Sequence, residues 1–207
     1  MHLINRGNGP TEPYKPGVYM LTGINGIGKS TVVDAIAHDN PEAIPLHASH
    51  ELRRLFGDIS REELEQLSPE EKLSRMVVHF TTIFDQGLND SQAVIMDTHL
   101  LVPIRKDNDV TYEDIWSHEY APYVSSMVML SADPTAVRRW RLEDERATGR
   151  KRNTDIFAIA ADQEMNIARF NMLYADGQLP NSSGVIENRS GQPDETRAAV
   201  ERAFKTG

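Results

Sequence analysis

Apolar and polar positions along this chain switch repeatedly between the periods of strand and helix. Val18-Tyr19-Met20-Leu21-Thr22 is a short, nearly continuous apolar run suited to a pleated strand. Thr31 to Ala37 returns to helical spacing. Ala43-Ile44-Pro45-Leu46-His47 predicts a second strand, weakened by Pro45. From Ser49 the pattern is helical, with Leu52, Leu55 and Phe56 on one side and Gly57 as the stop. Ser60-Arg61-Glu62-Glu63 and Ser68-Pro69-Glu70-Glu71 both read as helix starts, each with a hydroxyl cap three residues ahead of a glutamate. The second opens a long helix with Leu73, Val77, Phe80, Phe84 and Leu88 facing inward.

Ala93-Val94-Ile95-Met96-Asp97 and Ser126 to Leu130 predict buried strands. Asp133-Pro134 starts a helix that breaks at Gly149. A helix from about Asp155 puts Ile156, Ala160, Ile167, Phe170 and Tyr174 on one face. Gly184 to Asn188 predicts a last short strand, and Asp194 to Phe204 a closing helix. Strands alternating with helices predict an α/β fold whose mostly parallel sheet is covered on both faces. Gly7, Gly9, Pro10, Pro13 and Pro16 make residues 1–16 a flexible extension, leaving 17–207 as a single domain.

Composition narrows the function classes. The 207 residues include no cysteine, which excludes a disulfide framework and a thiolate metal site. A net charge of −9 argues against a general nucleic-acid surface, so no nucleic-acid partner is expected. No apolar run is long enough to span a membrane, and nothing at the N-terminus reads as a signal peptide, so no membrane contact and a cytoplasmic location are expected. One local exception breaks the acidic average: residues 138–152 hold seven of the 22 lysines and arginines. Such a cluster suits a small polyanion, or else a solvated helix face paired with Glu143, Asp144 and Glu145. The histidines show no zinc-site spacing beyond His47 and His50, which read as structural.

The chemistry concentrates in Gly23-Ile24-Asn25-Gly26-Ile27-Gly28-Lys29-Ser30-Thr31, which fits the G-x-x-x-x-G-K-[ST] phosphate-binding loop between a strand and a helix. Its glycines let consecutive N–H groups wrap a polyphosphate at a helix N-terminus. Lys29 would reach the β- and γ-phosphates, and Ser30 would offer its hydroxyl to Mg²⁺. Asp97 ends a strand where a parallel sheet gathers its ligands, and is expected to join Ser30 at the magnesium. His99, two residues on, either touches a substrate or holds the following loop. Phosphoryl transfer needs alignment and cations, so the 138–152 cluster gains a role as an arginine-bearing segment closing over ATP.

These motifs together resemble the archaeal-type adenylate kinases. The loop Gly23 to Thr31, the strand end Met96-Asp97-Thr98-His99 and the turn Ala132-Asp133-Pro134 match that family. So do Arg150-Lys151-Arg152, Asn166-Ile167-Ala168-Arg169-Phe170, and Asn188 with Pro193. The resemblance runs from about residue 17 to the end and is strongest on the ATP side. It implies a P-loop three-layer α/β/α fold with a five-stranded parallel sheet, acceptor-binding helices at about 48–90 and a short arginine-rich lid at about 146–155. It implies transfer from Mg-ATP to a nucleoside monophosphate, with Lys29, Asp97, Arg105, Arg150, Arg152 and Arg169 as the catalytic group. Asn188 would pass the adenine ring, while Arg61, His99, Arg105 and Trp116 would lie on the acceptor side. The family's trimers imply self-association.

The acceptor side departs from the pattern. Asp114-Ile115-Trp116 stands where the family has G-L-P, and Glu65 replaces an arginine. Exchanging a phosphate-facing cation for a carboxylate opens the acceptor to another nucleotide or to a hydroxyl compound. Two alternatives therefore stand beside the nucleotide kinase: a small-molecule kinase with Asp97 or His99 as base, and a nucleotide switch with slow hydrolysis.

Overall fold

The computed structural model describes residues 13–57, 67–106, 109–189 and 192–206. Strand β1 (Gly17–Thr22) is buried along its whole length and forms the centre of a five-stranded sheet. β3 (Ala93–Asp97) and β6 (Val124–Ser131) flank it, β2 (Ala43–His47) and β7 (Gly184–Glu187) form the edges, and every pairing is parallel. Pro45 is tolerated because β2 is an edge strand.

Alternation along β1 divides the core in two. Val18 and Met20 point to a layer with Phe80, Phe84, Met127 and Met129. Tyr19 and Leu21 point to the other, with Ile27, Val33, Ile36, Leu130 and Phe204. Both faces are therefore covered, as continuous apolar strands require. Helices α1 (Lys29–Asp39), α4 (Pro134–Thr148) and α6 (Pro193–Lys205) contribute to the second layer, and α2 (Ala48–Phe56) and α3 (Pro69–Asn89) to the first. Tyr14 is also buried, with its ring centroid 5.2 Å from that of Tyr19 and the Lys205 ammonium 4.6 Å from its centroid. The last residues of the expected flexible extension thus belong to the core; residues 1–12, and the helix start at Ser60, lie outside the described residues.

Local signals set the helix ends. Ser68 and Glu71 form the reciprocal cap that starts α3. Asp133 accepts from the Thr135 and Ala136 N–H groups at the start of α4, and left-handed Gly149 stops it. Asp155 caps α5 (Ile156–Ala175).

Two features depart from the sequence reading. An antiparallel hairpin, β4 (Leu101–Lys106) and β5 (Asp109–Asp114), follows the Asp97 strand where no element was expected. The face of α5 is also rotated: Ile159, Asp162, Asn166, Phe170 and Leu173 are buried, while Tyr174 is exposed. The reason is polar. Asn166 accepts from the Leu101 N–H and donates to the Leu101 carbonyl, and Asp162 accepts from Arg105 and Tyr112. Docking the hairpin thus needs the polar side of this helix turned inward.

Candidate active site

Sheet register assembles the site. Leu21 of β1 and His47 of β2 both lie beside Asp97 at the end of β3. The loop that leaves β1 therefore passes directly over the Asp97 carboxylate. Gly26 and Gly28 have φ of 75° and 95°, a conformation that side chains resist. A Cβ at Gly26 would meet Arg141 Cγ at 2.8 Å, and one at Gly28 would meet Asn188 Nδ2 at 2.9 Å. Gly28 then hands the chain to α1, whose N-terminus has no side-chain cap and no acidic residue in its first turn. Its N–H groups are left for an anion.

Lys29 is buried, and its ammonium donates to the carbonyls of Gly23 (2.8 Å) and Ile24 (3.0 Å). Burial lowers its pKa to about 7; Asp97 opposes the shift, and Arg152, Arg141 and Arg150 add to it. The Ser30 hydroxyl donates to Asp97 Oδ2, so a hydroxyl and a carboxylate meet at one point. Hard oxygen donors of this kind fit Mg²⁺, which keeps its remaining positions for phosphate and water. His47 Nδ1 also contacts Asp97 Oδ2 at 3.0 Å, and its Nε2 contacts Asp34 Oδ1 at 3.0 Å. Burial works against protonating His47, but the hydrogen bonds and charges of Asp97 and Asp34 outweigh it and raise its pKa. Sequence reading took His47 as structural; only the β2–β3 pairing reveals that it braces Asp97.

The glycine loop opens onto a cavity of about 590 Å³ lined by Lys29, Ser30, Asp97, Trp140, Arg150 and Arg152, among others. A second cavity of about 270 Å³ adjoins it, with Arg105, Arg141, Lys151 and Asp162 in its wall. Asn25, His99, Arg150 and Arg152 line both. His99 thus sits at the junction. Burial and the charge of Lys29 hold its pKa well below the usual histidine range, although a hydrogen bond with the Gly23 backbone works the other way. Its imidazole is neutral at pH 7.

The basic segment 138–152 splits by helical phase. Arg138, Arg139 and Arg146 face solvent, with Arg139 3.9 Å from Glu143. Val137, Trp140, Arg141 and Asp144 share the inward face. Buried Arg141 donates through Nε and Nη2 to the Asn25 carbonyl at 3.0 and 2.6 Å, and through Nη1 to the Asn153 carbonyl at 2.5 Å. It ties the segment at Asn153 to the glycine loop at Asn25. Burial lowers its pKa to about 10, so it remains charged at neutral pH. Replacing Arg141 with methionine should cost about 3 kcal/mol, since hydrogen bonds from a charged group are lost inside the fold. The melting midpoint should fall by roughly 6–12 °C; a change below about 2 °C in calorimetry would remove the clamp assignment.

The other expected site residues fall into two groups. Arg150 lines both cavities and no side-chain partner engages it among the described residues, whereas Arg152 donates to Asp144. Arg105 reaches the second cavity but is held by Asp162, with Nη2 at 2.6 and 2.7 Å from its two oxygens. Asn188 lines the first cavity, yet its amide braces the loop: Nδ2 donates to the Ile27 carbonyl at 2.7 Å and Oδ1 accepts from Thr196 at 3.0 Å. Within the glycine loop, Gly23 lines neither cavity and Ile27 is buried in the core; beyond the loop, two residues are not brought to either cavity. Arg169 pairs with Asp114 at 2.7 Å, two helical turns beyond Asp162. Trp116 is buried in the core, its indole N–H donating to Gln178 at 3.0 Å. Arg61 and Glu65 lie outside the described residues.

No protein-family model and no curated protein matches the sequence. Solved structures match it in shape. Shikimate kinase from Bacteroides thetaiotaomicron aligns with a TM-score of 0.55 at 13% identity, covering 90% of this chain and 97% of that one. Thymidylate kinase from Candida albicans aligns with a TM-score of 0.57 at 10% identity, covering 93% and 92%. At these identities the likeness concerns the fold, which is that of the P-loop kinases: a five-stranded parallel sheet between helices. No helix among the described residues is long and apolar enough to cross a membrane.

Proposed function

We propose that the chain is a phosphotransferase that moves the γ-phosphoryl group of Mg-ATP to a nucleoside monophosphate. The observation that carries the reading is the pair of adjoining cavities sharing Asn25, His99, Arg150 and Arg152, one built around the phosphate loop and the other rich in cations. ATP would lie in the larger cavity with its phosphates on the loop and α1. Ser30 and Asp97 would hold Mg²⁺, which when bound neutralises phosphate charge. Lys29 would exchange its own loop carbonyls for phosphate oxygens. Arg150 and Arg152 stand over the boundary between the cavities and would neutralise the phosphoryl group as it passes. In the second cavity Arg105 and Lys151 would receive the acceptor's phosphate. An acceptor phosphate oxygen then bonds to the γ-phosphorus as the bond to the β–γ bridging oxygen breaks, and ADP leaves with that electron pair. The shikimate and thymidylate kinase neighbours support a small-molecule P-loop kinase; the adenylate-kinase-like acceptor rests on the motif resemblance.

One observation favours a second reading, a kinase for a small anionic alcohol. A cavity of about 270 Å³ whose wall carries Arg105 and Lys151 is small for a whole nucleotide and suits a smaller anion. Product analysis with Mg-ATP and a panel of ribo- and deoxynucleoside monophosphates, beside a panel of hydroxy acids, separates the two. ADP formed with one or two monophosphates, together with the matching diphosphate, is the expected result. ADP formed only with a hydroxy acid supports the second reading, and equal ADP without any acceptor overturns both.

A further inference from the structure

The donor site has a base-facing wall whose polar side chains are already committed. Away from the phosphate loop, that cavity is lined by Trp140, Asp144, Asn188, Arg189 and Pro193. Asp144 accepts from Arg152. Asn188 uses both ends of its amide on Ile27 and Thr196. Arg189 is tethered through Nε to Glu187 at 3.0 Å. The amide that could have read an adenine edge is instead part of the loop's scaffold.

What remains uncommitted on this wall is Trp140, Pro193 and the Nη groups of exposed Arg189. Trp140 is half-buried, packs against the core layer that holds Ile27 and Val137, and has no aromatic neighbour among the described residues. Its π-surface is therefore available to a planar ligand. The chain has two tryptophans, and the other, Trp116, is enclosed 5.9 Å from Tyr120 in the opposite core layer.

We infer that Trp140 is the platform on which the donor's base stacks, and that the site consequently accepts nucleoside triphosphates with little regard to the base. This rests on the reading of the larger cavity as a donor site. Stacking is indifferent to base identity because every base presents a π-face, whereas discrimination needs hydrogen-bonding groups aimed at the base edge. Here the amide of Asn188 and the carboxylate of Asp144 are spent on loop and lid, and the guanidinium of exposed Arg189 offers donors alone. The donor class is thus nucleoside triphosphate at large, with ATP prevailing by abundance.

The two tryptophans supply the test. In a Trp116→Phe variant the remaining emission comes from Trp140, and it should be quenched by ATP, GTP, CTP and UTP with dissociation constants within about tenfold of one another. Inorganic triphosphate, which has no base, should bind by calorimetry without quenching. Trp140→Ala should weaken all four nucleotides by about ten- to a hundredfold and leave inorganic triphosphate unchanged. Trp140→Phe should restore binding to within a few-fold of wild type on the order expected for retained stacking, which separates stacking from mere folding. Binding of ATP at least about a hundredfold tighter than the other three, or unchanged ATP affinity in Trp140→Ala, overturns the inference while triphosphate binding keeps the donor site. Failure of every triphosphate to bind, the inorganic one included, overturns the donor site itself.

Discussion

Replacing Lys29 with methionine should reduce phosphoryl transfer by at least about 10²–10³-fold while leaving the fold intact. The ammonium is enclosed by the phosphate loop and is held by the Gly23 and Ile24 carbonyls, 2.8 and 3.0 Å away. That arrangement is costly without a ligand, because burial lowers the lysine pKa to about 7. A polyphosphate bound as proposed would supply the compensating charge. Methionine keeps much of the volume and removes the cation, so transition-state charge goes unneutralised. Loss of the two carbonyl contacts and relief of a buried ammonium oppose each other, so the melting midpoint should stay within about 5 °C. The sign of the pH dependence follows. An unfolded lysine titrates near 10.4, so between about pH 7 and 10 the unfolded chain binds more protons than the folded one. This group therefore makes ligand-free stability rise with pH across that window, and Lys29→Met should flatten the rise. Turnover within tenfold of wild type would remove Lys29 from the mechanism.

Much of this site is legible in the sequence because it is local. The strand, glycine loop and helix from Val18 to Ala37 occupy one continuous stretch, and each residue's role follows from its neighbours. The cap at Ser68 and the carboxylate at the end of β3 are equally short-range. Long-range pairing is where the reading stops. His47 is an ordinary strand-end histidine until β2 is laid beside β3. Asn188 falls at the cavity, but its partner Ile27 is 161 residues away and turns a base-reading amide into a brace.

The hairpin and α5 fail together for one reason. Asp109 to Asp114 alternates through Val110 and Tyr112 after the turn-forming pair Asp107-Asn108, a partial hairpin signal, but Leu101 to Lys106 shows no alternation and contains Pro103. Once the hairpin is missed, no reason remains to bury Asp162 and Asn166, and apolar periodicity selects the wrong side of a helix with apolar residues all around it. Arg169 and Trp116 follow from the same displacement. The first turns to Asp114 of the hairpin, and the second, just beyond it, drops into the core against Phe80, Phe84 and Tyr120. Motif matching transfers a residue's position along the chain, but not the partner that claims its side chain.

The lid arginines should separate in the same way. Arg150→Ala should lower turnover by about 10³-fold while changing nucleotide affinity by no more than about threefold. Its guanidinium stands unengaged over both cavities, so no contact in the ground state needs breaking before it meets the moving phosphoryl group. Arg152 is different, because it already neutralises Asp144 on the wall of the larger cavity. Arg152→Ala exposes that carboxylate to the polyphosphate, so affinity should fall along with turnover. Adding Asp144→Asn removes the stranded charge and should recover affinity without recovering turnover, since no cation returns. Single-turnover kinetics and equilibrium nucleotide binding distinguish these effects. Equal losses of affinity and turnover in Arg150→Ala would make it a ground-state contact. A double variant that binds no better than Arg152→Ala would mean that Asp144 does not face the phosphates.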